Sequence, residues 1–230
     1  MTTLPKSLSE RRRLAAERSE GISSDAIYRV IHDAIRERGL RGTILDYGAG
    51  RGELTRSLLK LGVFDRICGA DLMAVPADLV DRVEWAEQDL NAQLPYSDGE
   101  FDVVVAAEVI EHLENPRMTI RDIFRLLRRG GTAILSTPNN ESWRSLLALL
   151  IRGHFVAFTE SCYPAHTTAL VREDLKRIFV EAGFTAPAFR FTDVGSLPGK
   201  PSVSWQQMSA GLLKGLRFSD SVIAIAQKPA

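Results

Sequence analysis

An apolar run, Ile44-Leu45-Asp46-Tyr47, breaks into Gly48-Ala49-Gly50-Arg51-Gly52 and resumes at helical spacing from Glu53-Leu54-Thr55. No other segment constrains the chain as much. Glycine reaches backbone conformations that side chains disfavour and lets a ligand come close to the main chain. The unpaired N–H groups at the start of the following helix favour a negative group. A tight strand-to-helix turn in any α/β protein would use the same letters, so the residues downstream decide between the two readings.

Those residues repeat a pattern of short apolar runs and longer amphipathic stretches, which is the signature of strands alternating with helices. Strands are expected at Thr43 to Asp46, Arg66 to Asp71, Val83 to Glu87, Phe101 to Ala107 and Thr132 to Thr137. Helices are expected near Leu54 to Leu61, Pro76 to Val80 and Pro116 to Leu127. Strands this short and apolar are buried on both faces, as in a parallel sheet covered by helices. Before the pattern begins, Leu8 to Arg18 and Ser24 to Arg38 read as two helices, an appendage or lid. After it come an apolar helix at Trp143 to Ile151, a helix at Arg172 to Ala182, and closing strands at Ala188 to Val194 and Ser221 to Ala226. The chain is thus read as one domain: helical lid 1–40, cofactor-binding core 41–138, acceptor-side elements 139–218 with an insertion at 195–217, and a closing strand in 219–230.

Composition narrows the function classes. Lys plus Arg and Asp plus Glu are equal at 29 each, so no global field draws a nucleic acid, which is an unlikely partner. Two cysteines, Cys68 and Cys162, make no disulfide framework. The N-terminus has a basic cluster at Arg11 to Arg13 but no apolar stretch of signal-peptide length, and no run approaches the roughly 20 apolar residues of a membrane span. A cytoplasmic location is expected.

Three strands end on acids: Asp46, Asp71, and Asp89 in Glu87-Gln88-Asp89-Leu90. Ligands of open α/β sheets bind at the carboxyl ends of the strands. There Asp71 is placed to accept both hydroxyls of a ribose, and Asp89 to face an adenine amino group. Singly, each would serve equally as a turn or cap residue. The turn reads G-x-G-x-G, and Glu53 stands where the dinucleotide fingerprint has its third glycine, which argues against a nicotinamide cofactor.

With ILDYGAGRGELT, CGADL, EQDLN, FDVVVAAEVIEHLENP and LRRGGTAILSTPN in this order over about residues 42 to 138, the chain resembles the class I S-adenosylmethionine-dependent methyltransferases. The resemblance implies a Rossmann-like α/β three-layer sandwich on a seven-stranded, mostly parallel sheet of order 3-2-1-4-5-7-6, strand 7 antiparallel. It also implies S-adenosyl-L-methionine as cofactor. Backbone at Gly48, Ala49 and Gly50 would hold the methionine part, with Asp46 bracing the loop. Asp71 would take the ribose, and Leu72, Asp89 and Leu90 would frame the adenine. Glu108 and Val109 would lie under the sulfonium and amino group. Gly52 and Gln88 complete the expected cofactor set. Within the superfamily, EVIEHLENP, Ala165-His166-Thr167-Thr168 and REDLKRIFVEAGF are similar to the small-molecule branch that includes the ubiquinone-pathway O-methyltransferases.

Methyl transfer to a hydroxyl needs a base, and His112, beside Glu111, is the candidate because imidazole changes charge near neutral pH with little help. Glu108, Glu111 and His112 also pose a metal question, with His166 as a further ligand. The small-RNA ribose methyltransferases hold magnesium with a similar set, and here magnesium is left open without being favoured. His32 and His154 read as ordinary surface or packing residues. Trp143, Phe155, Phe158, Tyr163, Trp205 and Met208 are expected over an apolar or ring-bearing acceptor, with Leu146 to Ile151 as a greasy entrance. The expected activity is methylation, favouring O-methylation, of a small molecule such as a quinone, phenol, sugar or biosynthetic intermediate. The rivals are an RNA ribose 2′-O-methyltransferase, a nucleotide-sugar or nicotinamide enzyme on the same fold, and a cofactor-binding protein without catalysis. A homodimer is left open.

Overall fold

A computed structural model describes Arg12 and residues 23–230. The helix expected at Leu8 to Arg18 falls, apart from Arg12, outside the described residues. Helix α1 (Asp25–Glu37) leads into β1 (Gly42–Tyr47), α2 (Glu53–Leu61), β2 (Phe64–Asp71), β3 (Glu84–Glu87), β4 (Phe101–Ala107), α3 (Pro116–Leu126) and β5 (Leu127–Pro138). There follow α4 (Trp143–Arg152), α5 (Arg172–Ala182), β6 (Ala188–Phe191), the hairpin β7 (Ser196–Leu197) and β8 (Lys200–Ser204), α6 (Trp205–Met208) and β9 (Ser221–Gln227).

The large sheet runs β3-β2-β1-β4-β5-β9-β6. With the separate hairpin set aside, β9 is its seventh strand and the expected order 3-2-1-4-5-7-6 is met. Strand β9 runs antiparallel to both β5 and β6, and the other pairings are parallel. Side chains alternate across each strand, so β1 sends Leu45 and Tyr47 into the apolar layer beneath α3 and α5, and Ile44 into the layer beneath α1 and α2. Helix α1 earns its place through Ile27, Ile31, Ala34 and Ile35, all buried at helical spacing. Each fully buried isoleucine contributes about 1.5–3 kcal/mol relative to exposure. Asn115 caps α3 by accepting from the Met118 N–H (3.1 Å), and Pro116 opens its first turn, where a missing N–H costs nothing.

Four expectations are corrected. Pro76 to Val80 is a series of turns rather than a helix. Five residues are too few to nucleate a helix unaided, and the turns instead bring Leu79 and Pro76 against Gly52. Strand β5 starts at Leu127, directly after α3, because Leu127 pairs with Phe101 ahead of the irregularity that precedes Thr132. Val83 stays outside β3, and β6 stops at Phe191. No helix among the described residues is long and apolar enough to cross a membrane.

Candidate active site

Strands β1, β2 and β4 end side by side, and the segments that follow them enclose a cavity of about 660 Å³. Its lining includes Asp46, Gly48, Ala49, Gly50, Asp71, Leu72, Asp89, Leu90, Glu108, Val109, Glu111 and His112. Two residues of the expected set lie outside the lining. Gly52 is the left-handed residue that starts α2, packed on Leu79, and the Gln88 N–H donates to the Asp71 carbonyl (2.8 Å).

The glycine turn is tied to β2 by N–H donation from Gly48 and Ala49 to the Ala70 carbonyl (2.8 and 3.1 Å). Gly48 has φ +83°, and a Cβ there would sit 2.4 Å from a Val109 methyl, so no side chain fits. Asp71 is nearly buried and accepts from the Gly50 N–H (2.8 Å) and the Met73 N–H (2.9 Å), one on each oxygen. Both oxygens keep further lone pairs. A backbone cradle with no room for a Cβ, followed by an acceptor-rich carboxylate, fits the amino-acid and ribose parts of S-adenosylmethionine.

Asp46 is fully buried; Oδ2 accepts from Thr55 Oγ1 (2.6 Å), and Oδ1 has no partner among the described residues. Burial pushes its carboxyl up to about 7, with Asp71 adding repulsion. Unfolded, Asp46 ionises near 4; folded, it keeps its proton to about 7. Between these values the folded state binds more protons, so stability is highest at the acid end and falls as pH rises. At about 1.4 kcal/mol per unit, Asp46→Asn, which keeps the acceptor for Thr55 and cannot ionise, is expected to gain about 3 kcal/mol on the wild type between about pH 5 and pH 8. Urea unfolding of both proteins at the two pH values measures this.

At the mouth of β4, Glu108 holds a left-handed φ of 55°. Ser136 fixes it twice, accepting from its N–H and donating to Oε1, both 3.0 Å. Burial pushes its carboxyl up to about 7. Glu111 is fully buried; burial first, then Glu108, raises its carboxyl well above the ordinary range. Its Oε2 accepts from Thr137 Oγ1 (3.1 Å), and Oε1 has no partner among the described residues.

His112 donates from Nδ1 to the Ala165 carbonyl (2.9 Å), which leaves Nε2 as the lone pair. Burial, and then His166, lowers it to about 4, so it is neutral at pH 7 but a weaker proton acceptor than the near-neutral imidazole expected from the residue type. The Thr167 and Thr168 N–H groups both donate to the Glu111 carbonyl (2.9 and 3.0 Å) and so carry His166 back to this corner. His166 donates from Nδ1 to the Ala157 carbonyl (2.6 Å), and its ring meets His112 edge-on at 4.7 Å. One ligating atom from each of Glu111, His112 and His166 falls within 4.8 Å of the other two, a group able to hold a cation.

Of the aromatic residues expected over an acceptor, Tyr163 lines the cavity. Trp143 is half exposed beneath Arg217, Trp205 packs on Phe218, and Phe155 and Phe158 pair with each other. Leu150 and Ile151 face away from the cavity into solvent. His32 meets Ser57 Oγ (2.9 Å), and His154 donates to the Phe155 carbonyl (3.1 Å). The cavity also takes residues that the motifs did not single out: Arg12, Ser23, Tyr28, Thr192 and Asp220. The helical lid read over 1–40 and the Arg11 to Arg13 cluster are the sequence signals for Arg12, Ser23 and Tyr28; no motif signals Thr192 or Asp220.

The family described as a methyltransferase domain matches residues 11–187. A ubiquinone biosynthesis O-methyltransferase of Psychrobacter arcticus is 26% identical over 163 residues, covering 67% of this chain and 63% of that protein. A 1,6-didemethyltoxoflavin-N1-methyltransferase of Burkholderia thailandensis, solved with bound 1,6-didemethyltoxoflavin and S-adenosylhomocysteine, superposes with a TM-score of 0.61 at 18% identity, covering 100% of this chain and 94% of that one. A SAM-dependent methyltransferase of Archaeoglobus fulgidus gives a TM-score of 0.58 at 20% identity over 94% of this chain and 99% of that one. The chain belongs to the class I S-adenosylmethionine-dependent methyltransferases.

Proposed function

We propose that this protein transfers a methyl group from S-adenosylmethionine to a hydroxyl of a small molecule, such as a quinone or phenol. The observation that carries the reading is one cavity joining Asp71 and the glycine turn to His112. Its size falls within the range of small-molecule sites. Arg12 is the one lysine or arginine lining it among the described residues, against several carboxylates, so a phosphate backbone finds little counter-charge there. The relatedness to ubiquinone-pathway O-methyltransferases supports a hydroxyl acceptor.

When bound, S-adenosylmethionine supplies a methyl already activated on a sulfonium. The chain's own residues would hold and orient. Gly48, Ala49 and Gly50 offer the methionine part a backbone surface, Asp71 accepts from the ribose hydroxyls, and Asp89 accepts from the adenine amino group. Glu108, fixed by Ser136, presents its carboxyl below the reacting end. His112, its Nδ1 proton committed to Ala165, takes the acceptor's hydroxyl proton on Nε2.

A second reading has its own observation. The Glu111 Oε1, without a partner among the described residues and beside two imidazoles each oriented by a backbone carbonyl, is the arrangement of metal ligands steered by their outer partners. A divalent cation held by Glu111, His112 and His166 would acidify the acceptor hydroxyl in place of a base.

Calorimetric titration with S-adenosylhomocysteine, with NAD as comparison and with and without magnesium, tests the cofactor. Micromolar binding of S-adenosylhomocysteine with none of NAD is expected; the reverse preference would overturn the reading.

A further inference from the structure

Arg12 crosses the adenine end of the cavity. Its Nε and Nη2 donate to the two oxygens of Glu114 (3.1 and 2.7 Å), and Nη1 donates to Asp89 Oδ2 (2.7 Å). A two-toothed arginine–carboxylate pair fixes direction as well as distance, and these partners lie 102 and 77 residues away along the chain. The bridge therefore joins the start of the chain to the loops after β3 and β4. Asp89 is itself held from behind: Oδ1 accepts from both the Asn91 N–H (2.9 Å) and its Nδ2 (3.0 Å).

Counting the lone pairs shows what the bridge leaves free. A carboxylate offers about four acceptor positions. Asn91 fills the two on Oδ1, and Arg12 fills one on Oδ2. One position remains, which suits a single N–H of an exocyclic amino group. Arg12 and a bound adenine are thus compatible on the same carboxylate. A guanidinium beside a purine also gains from stacking its plane on the ring. Burial pushes Asp89 up, while its bonds to Asn91 and Arg12 outweigh burial and hold the carboxyl below the ordinary range, leaving it a charged acceptor at neutral pH.

We propose that Arg12 is a cofactor-retention residue: it spans Glu114 and Asp89 across the adenine end, and the cofactor leaves only when this ionic bridge opens. The proposal rests on the placement of adenine at Asp89 given above. Arg12 touches no reacting atom, so it acts by positioning.

The probe is S-adenosylhomocysteine, and the readout is its dissociation rate by stopped-flow displacement from the full chain. Arg12→Ala is expected to speed release about tenfold, as for a lost charge-assisted pair. Arg12→Lys, which keeps the charge without the two-toothed geometry, should recover part of the loss. Glu114→Gln should speed release by less, with Asp89 intact. Because salt screens partly exposed pairs, wild-type release should quicken between about 50 mM and 500 mM salt, and Arg12→Ala release should not. A purely structural effect would leave the salt response unchanged. Release from Arg12→Ala within twofold of wild type, with the same salt response, overturns the proposal while the cofactor reading stands. Wild-type protein that fails to bind the probe removes both.

Discussion

Asp71→Ala is expected to weaken S-adenosylhomocysteine binding roughly 10²-fold or more while the protein stays folded. The carboxylate stands at the end of β2, nearly buried, with one oxygen anchoring the Gly50 N–H and the other the Met73 N–H. On the proposed reading, alanine removes the acceptor of both ribose hydroxyls, and it releases the glycine turn at once. Two hydrogen bonds to a charged acceptor contribute about 3 kcal/mol or more together, which is roughly 10²-fold in affinity. Desolvation by burial raises the Asp71 carboxyl, so the native fold gains little from its charge. The thermal midpoint should therefore fall far less than the affinity. Asp71→Asn separates the two jobs: one carbonyl oxygen remains for one of the anchoring N–H groups, and binding should lie between alanine and wild type. Calorimetry on the three proteins, with circular dichroism as the folding control, decides the matter. Asp71→Ala binding within fivefold of wild type would remove this residue from the cofactor site.

How far the site could be read from residues alone follows from locality. The glycine turn, Asp46, Asp71, Asp89 and the Glu108 to His112 corner all sit on or just after strands whose alternation and length betray them, and strand ends in such a sheet share one edge. Gly52 shows the limit. Its letters match the turn, yet its φ of 79° starts α2 and its Cα faces Leu79 rather than the cavity. Nothing in a glycine's neighbours along the chain reveals which of these it serves. The return of His166 to His112 depends on two N–H bonds to the Glu111 carbonyl across more than fifty residues, and long-range backbone pairing leaves no periodic trace. Apart from Tyr163, which lines the cavity, the aromatic side chains misled for a similar reason. Trp143 and Trp205 have the size of pocket walls, but Arg217 lies over the first ring and Phe218 packs on the second, partners that come from elsewhere along the chain. Arg12 was legible as charge and not as a partner of Asp89.

His112→Ala should lower turnover at least about 10²-fold with S-adenosylhomocysteine affinity unchanged, the loss typical of a removed general base. The two readings of this corner part at the neighbouring residues. If His112 works alone as a base through Nε2, His166 is merely its edge-on packing partner, 4.7 Å away. His166→Ala should then cost turnover about tenfold at most through loosened positioning, and a chelator should change nothing. If Glu111, His112 and His166 hold a divalent cation, the three act as one set. Each single replacement should then cost nearly the same, the double variants should cost little more than the singles, and a chelator should abolish turnover, with restoration by added magnesium or manganese. Manganese also supplies a readout free of any acceptor. Its spin-resonance signal should broaden on wild-type protein and stay sharp with Glu111→Gln, because the buried carboxylate, whose Oε1 lacks a partner among the described residues, would have become an amide. A chelator-insensitive enzyme with full activity in His112→Ala would refute both readings and leave placement against the bound cofactor as the whole of the catalysis.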